Sequence, residues 1–309
     1  MIGRAEIGPA RERIAPYLRR TPVFETDGAS LGLSCPVTLK LEQLQHTGSF
    51  KPRGAFNSLL TRTVPDAGVV AVSGGNHGAA VAYAASVLGV PARVFVPEYA
   101  EPTKIARIRG FGAEVVVVGD RFSATVAAAR EHGGHTGAVL VHPYDDRETV
   151  VGQGTLGAEL EEQMPDLDVL VVAVGGGGLI GGISAWYGTR IRIVAVESAG
   201  TPTLATAWDG GPEATTEVSG IAASSLGAPS IGSICYGMVR ERIERPILVS
   251  DAEILDAQRR LWAAARLIGE PGGVAALAAL TSRRFTPQPG ERVGVLVCGG
   301  NADPNWFKV

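Results

Sequence analysis

Cysteine is scarce in this 309-residue chain, and the three that occur, Cys35, Cys235 and Cys298, stand far apart and are odd in number. No CxxC spacing joins them, so neither a zinc ribbon nor a disulfide framework is indicated, and a reducing cytoplasm is the expected setting. An excess of one charge is missing too. Lysine and arginine number 28 against 31 acidic residues, a net charge of −3, and nothing points to a nucleic-acid partner. Long hydrophobic runs are absent as well. Runs such as VLVVAV at 169–174 suit a strand and are far too short to span a bilayer. The N-terminal MIGRAEIGPARERIAPYLRR is charged and helical in pattern, with no apolar stretch of signal-peptide length, so a soluble, cytoplasmic protein is expected. No long linker rich in Pro, Gly or Ser divides the chain, and no repeat of fixed period appears.

Hydrophobic residues make up 45% and charged ones 19%, which supports a substantial core and argues against disorder. Short β-branched runs alternate with alanine-rich segments of helical character. Strands are expected at 37–42, 68–73, 92–97, 113–118, 138–142, 168–174, 192–197 and 292–298. Helices are expected from about Asn76, over 102–109 and over 122–132. Several of the runs are almost continuously apolar, as in parallel strands buried on both faces and covered by crossover helices. The class is doubly wound α/β.

Glycine is plentiful, at 41 residues, and it clusters. VVAVGGGGLIGG (171–182) passes from a buried strand into a helix through Gly175, Gly176, Gly177 and Gly178. Bare N–H groups at a helix start attract an anion, and a phosphate is the natural guest. A tight strand–helix turn would need only one or two glycines. The spacing is not GxxxxGK[ST], and a dinucleotide fingerprint fits poorly, although Glu197 lies about twenty residues on. VSGGNHG (72–78) repeats the strand-to-helix theme, with Ser73, Asn76 and His77 offering hydrogen bonds beside free amides, which suits a carboxylate. Ser73 or Asn76 is the expected helix cap. VLVCGGN (295–301) places Cys298 at the end of the last buried strand. In open α/β sheets ligands gather beyond the carboxyl ends of strands, where all three clusters fall. Segment 209–232, rich in Gly and Ser, is either a surface loop or pocket lining.

Residues 46–54 read HTGSFKPRG. Lys51 there is either a solvated loop lysine or an amine held for a carbonyl compound. With Glu42 upstream, TGSFKPRGA, SGGNHG, GQGT (152–155), GGGGLIGG, GEPGG (269–273) and CGGN occur in the order seen in fold-type II pyridoxal-phosphate enzymes. The chain resembles their threonine/serine dehydratase and serine racemase branch, over about Thr21 to Asp303. The resemblance implies a tryptophan synthase β-like fold of two doubly wound parallel-sheet domains with the cofactor between them. It places residues 1–50 plus 146–309 in a large domain and 51–145 in a small one. It implies that Lys51 carries pyridoxal 5'-phosphate as a Schiff base and that Phe50 flanks the ring. It further implies that Asn76 contacts the ring hydroxyl, Gly175–Leu179 hold the phosphate and Cys298 faces the pyridine nitrogen. The substrate carboxylate is expected on Ser73, Gly74, Gly75, Asn76 and His77, and a homodimer is implied.

A desolvated pocket lowers a lysine pKa, as Schiff-base chemistry needs. Cys298 is expected as a neutral thiol, a weak partner for the ring nitrogen that favours prompt loss of a β-substituent over transamination. Its plainer reading is an inert buried thiol. Racemase members carry a second serine where Gly74 stands, so dehydration is expected over racemisation. In metal-binding members a Glu at a strand end is joined by an Asp six residues on. Glu197 fits the first position and Thr203 occupies the second, so no metal is expected, and Glu197 reads as a solvated or supporting carboxylate. Glu270 is either a polar neighbour of the ring or an exposed helix-start glutamate. Ala223-Ser224 stands where this branch has Asp-Gly, near the expected substrate side chain. The chain ends at Val309, so no C-terminal regulatory domain is expected. The expected activity is β-elimination from L-threonine, L-serine or a related β-hydroxy amino acid. The rivals are a serine racemase or β-replacement enzyme of this fold, a nucleotide-binding oxidoreductase, and a non-catalytic binding protein.

Overall fold

The computed structural model describes residues 2–302. From the N-terminus, α1 (Arg4–Ile14) leads to an antiparallel pair, β1 (Val23–Thr26) and β2 (Val37–Leu41). Helix α2 (Pro52–Leu60) then opens an alternating series of β3 (Val69–Val72), α3 (Asn76–Leu88), β4 (Ala92–Val96), α4 (Pro102–Gly110), β5 (Glu114–Val117), α5 (Phe122–Thr136) and β6 (Val139–Leu140). The chain continues through α6 (Arg147–Gln163), β7 (Val169–Ala173), α7 (Gly178–Tyr187), β8 (Arg192–Ser198) and α8 (Thr203–Gly210). Short helices α9 (Ala223–Leu226) and α10 (Ser233–Val239) precede β9 (Ile247–Val249), α11 (Asp251–Ala265), α12 (Pro271–Thr281) and β10 (Val293–Val297).

Two sheets result. One has six strands in the order β1-β2-β10-β7-β8-β9, the other four in the order β5-β4-β3-β6. All pairings are parallel except β1 with β2. Central strands β7 and β10 are buried along their whole length, as their apolar runs require. At the edges, β1 (VFET) is a short half-polar strand that pairs antiparallel with β2, because a loop can return it without a crossover helix. Strand β5 ends the four-stranded sheet, and Val117 is 43% exposed. The large core packs around the six-stranded sheet, with β7, β10 and α12 at its centre. Separate clusters cover the two faces of the four-stranded sheet. Residues 303–309, the end of the expected large domain, lie outside the described residues.

The strand order places β2, β10 and β7 side by side and parallel. Their carboxyl ends lead into Glu42, Cys298 and the glycine run, and β3 of the other sheet leads into Ser73. The loop before Lys51 is fastened to the end of β10. Phe50 N donates to Cys298 O at 3.1 Å, Gly300 N donates to Gly48 O at 2.9 Å, and Ser49 bridges Gly299. The seam between the two sheets therefore falls at Lys51.

Candidate active site

Lys51 caps α2 with helical backbone angles, and Pro52, its own φ preset for a helix, takes the first position. Its Nζ donates to the carbonyl oxygen of Pro143 at 2.8 Å, and the Phe50 ring centre lies 5.1 Å away. Burial lowers the Lys51 pKa to about 8, and the neighbouring Cys298 only partly opposes this. A solvated loop lysine would show no such shift. Lys51, a half-buried residue, stands at the wall of a narrow pocket.

Facing it is the turn Gly175–Gly178. Among the described residues, the N–H groups of Gly175 to Leu179 find no hydrogen-bond partner and cluster at the start of α7. Gly177 has φ +87, where a side chain is strained. A Cβ on Gly176 would come within 2.3 Å of the Tyr144 ring, and one on Gly175 within 2.7 Å of the Leu226 carbonyl. Close packing therefore demands glycine here in addition to any anion. Both features leave a concave surface lined with donors.

The pocket brings together Phe50, Lys51, Asn76, Gly175–Leu179, Glu270 and Cys298. Cys298 Sγ approaches the Gly272 carbonyl oxygen at 3.6 Å, and burial pushes its thiol pKa up to about 12, so it stays neutral. Glu270 precedes α12, and it is 5% exposed, which rules out the exposed reading. Burial raises its carboxyl pKa to about 7, against the pull of a 2.6 Å bond from Asn76 Nδ2.

Ser73, Gly74, Gly75 and His77 do not line the pocket wall. The expected side-chain cap of α3 is also corrected. Gly75 is the N-cap, and Ser73 Oγ instead accepts from Gly75 N at 3.1 Å. The His77 imidazole, expected as a donor to ligand, bonds the Val141 carbonyl through Nε2 at 2.9 Å. Burial, with Lys51 adding to it, holds its pKa near 3. What remains for a carboxylate is backbone: the N–H groups of Asn76, His77 and Gly78 have no partner among the described residues.

Glu197 is not solvated: it is fully buried, and its two oxygens accept from Leu204 N at 2.6 Å and Ala205 N at 2.8 Å. Burial raises its pKa to about 8, while those N–H groups favour the anion. Thr203 Oγ1, in turn, donates to the Ala228 carbonyl. Segment 209–232 divides between the two readings: Ser225 and Leu226 line the pocket, whereas Pro212, Glu217 and Val218 lie at the surface. A Cβ on Gly75 would meet the Ser224 carbonyl at 3.2 Å, which brings 223–224 to the carboxylate loop. Sequence reasoning missed Tyr144 as a wall residue. The aromatic in HPYDD (142–146), just before a helix, was the one available signal for Tyr144.

The chain was compared with known proteins. The family described as "Pyridoxal-phosphate dependent enzyme" matches residues 14–299. The L-threonine ammonia-lyase of Geobacter sulfurreducens is 37% identical over 314 residues, covering 100% of this chain and 78% of that protein. The phenylserine dehydratase of Ralstonia pickettii is 38% identical over 307 residues, covering 97% and 94%. The solved structure of maize serine racemase superimposes with a TM-score of 0.91 at 33% identity, covering 98% of this chain and 95% of that one.

Proposed function

The chain belongs to the pyridoxal-phosphate dependent enzymes as a β-eliminating ammonia-lyase, and we propose that its substrate is L-threonine, L-serine or a related β-hydroxy amino acid, which leaves as a 2-oxo acid and ammonia. The observation that carries this reading is the desolvated Lys51 amine facing a cradle of five N–H groups without a partner among the described residues. The fit is chemical: an amine for the cofactor's aldehyde, and a glycine turn whose donors suit its phosphate. Lys51 would hold the cofactor covalently through Nζ. Gly175, Gly176, Gly177, Gly178 and Leu179 would hold its phosphate, Asn76 its ring hydroxyl, and Phe50 and Cys298 would flank its ring.

Once bound, the cofactor supplies an electron sink for the bond broken at the substrate Cα. Lys51 Nζ, released when the substrate amine takes its place on the cofactor, would take the Cα proton, a role its lowered pKa suits. The N–H groups at the start of α3 receive the substrate carboxylate, with Ser73, Gly74, Gly75, Asn76 and His77 framing it. Cys298, a neutral thiol, would offer the ring nitrogen no charge, which would favour loss of the β-hydroxyl over transfer of the nitrogen. Gly74 carries no side chain to return a proton from the opposite face, which favours elimination over the racemase and β-replacement readings. Family membership sets aside the nucleotide-binding oxidoreductase.

In this reading Glu197 serves the first turn of α8 and binds no metal. We place residues 51–145 in the small domain and, of the expected 1–50 with 146–309, the described residues 2–50 and 146–302 in the large one. A homodimer in a reducing cytoplasm suits the family and three unpaired cysteines. Purified protein should be yellow and release 2-oxo acid from L-serine or L-threonine. Lys51→Ala should lose both colour and turnover, and retained turnover would sink the proposal.

A further inference from the structure

The amide of Asn76 is wired at both ends. Asn301, the last residue of CGGN, places Nδ2 2.9 Å from the carbonyl oxygen of Thr47 and 2.6 Å from Asn76 Oδ1. A backbone carbonyl can only accept, so the atom facing Thr47 must be the nitrogen of Asn301. That nitrogen has two protons, one for Thr47 and one for Asn76. The terminal atom of Asn76 meeting Asn301 is therefore its oxygen, and its own nitrogen must face the other way. There it lies 2.6 Å from Glu270 Oε1. One of its two protons is used by Glu270. The second remains for the pocket that Asn76 lines.

From this relay we infer that Asn301 and Glu270 are positioning residues that fix the rotamer of the Asn76 amide, so that it presents an N–H donor, and never its oxygen, to an oxygen of the bound cofactor. The inference rests on the reading of this pocket as the pyridoxal-phosphate site. Rotating the Asn76 amide by half a turn would set Oδ1 against the Glu270 oxygen and Nδ2 against the Asn301 nitrogen. Two attractive contacts would become two repulsive ones. The relay also crosses the seam: Asn76 opens α3 of the four-stranded unit, while Thr47, Glu270 and Asn301 belong to elements beside the six-stranded sheet. Thr47 itself has φ +59 and accepts from Arg107 Nη2 as well, so its carbonyl is held in place from both sides. Burial raises the Glu270 pKa to about 7; its ionised form enforces this rotamer as an acceptor only, and the Asn301 contact, pinned by Thr47, enforces it in either form.

The test compares pyridoxal-phosphate affinity, by equilibrium dialysis of resolved enzyme, and the visible absorption band of the reloaded enzyme. Asn301→Asp is nearly isosteric but has no proton for Thr47 or Asn76. It should weaken cofactor binding by about tenfold or more and shift the band, as should Asn301→Ala. Glu270→Gln keeps an acceptor for Asn76 and should bind cofactor within about threefold of the parent, whereas Glu270→Ala should not. The Glu270 pair carries the same test from the other end if an Asn301 variant does not fold. Parent-like affinity and spectrum in both Asn301 variants, or in Glu270→Ala, would overturn the inference while leaving the pocket reading intact. A parent enzyme that binds no pyridoxal phosphate would overturn the pocket reading first.

Discussion

Arg53 holds Glu42 through two parallel bonds, Nε to Oε2 and Nη2 to Oε1, each 2.8 Å long. The same guanidinium reaches Glu159 Oε2 at 3.0 Å, and Lys40 Nζ meets the other oxygen of Glu159 at 2.5 Å. Two cations and two anions thus sit together almost out of solvent contact, balanced in charge. They join β2, α2 and α6 two residues beyond Lys51. Such a cluster adds little net stability when complete, but breaking it strands a buried charge. Arg53→Met should therefore lower unfolding free energy by about 3–5 kcal/mol. Adding Glu42→Gln to it should recover part of the loss, because one stranded anion is neutralised. Denaturant titrations of the single and double variants check this. A double variant less stable than the single would contradict the account.

The Lys51 amine gives a prediction with a sign. Its folded pKa is depressed to about 8 from 10.5, so the folded chain carries a penalty for the charged form at low pH. That penalty is present in full below about pH 8 and is relieved as pH rises toward the unfolded value near 10.5. The cofactor-free enzyme should thus gain stability with rising pH across this window, and Lys51→Met should flatten that rise. Only the neutral amine attacks an aldehyde, so capture of added pyridoxal phosphate should accelerate through about pH 8, well below the range of a free lysine. Stopped-flow absorbance over a pH series measures it. A midpoint near 10.5 would mean that the pocket does not desolvate the amine.

The central strands were legible because β7, β8 and β10 are nearly unbroken apolar runs, and burial on two faces leaves that mark in any sequence. Strands β1 and β9 were not, because VFET and ILV are too short for a period and lie at sheet edges. At the site, glycine runs and Lys51 announce themselves by residue type and order. The fate of a single polar side chain does not. His77 reads as a donor to ligand, yet its Nε2 is taken up by a carbonyl 64 residues on. Glu197 and Glu270 each leave a buried and an exposed reading open until α8 and Asn76 are seen to receive them. These are tertiary contacts between residues far apart in the chain, and no local pattern encodes them.

Gly176 is held to glycine by Tyr144. A Cβ there would lie 2.3 Å from that ring, far inside contact distance. Gly176→Ala should therefore displace either the ring or the turn and weaken pyridoxal-phosphate affinity by about tenfold or more, at a cost of about 1–3 kcal/mol in stability. Combining it with Tyr144→Ala removes the obstruction, and stability should return toward that of Tyr144→Ala alone. Thermal melts and cofactor titrations of the four proteins form a cycle whose coupling term should be clearly nonzero. Additive effects would show that the two residues do not press on one another.

Cys298 supplies the last prediction. Its thiol is neutral, held up to about pKa 12 by burial, with nearby Glu270 adding to the effect. Cys298→Ser exchanges one neutral, weak donor for another and should keep elimination within about tenfold of the parent. Cys298→Asp should behave differently. A carboxylate there pairs with a protonated ring nitrogen and strengthens the electron sink, so charge lingers at Cα and nitrogen transfer to the cofactor begins to compete with loss of the β-hydroxyl. The expected signature is slow conversion of the visible band to that of pyridoxamine phosphate during turnover of L-serine, with less 2-oxo acid formed per cofactor. If the Asp variant eliminates as cleanly as the parent and its cofactor survives, the residue at the end of β10 does not set the outcome of the reaction, and Cys298 is packing alone.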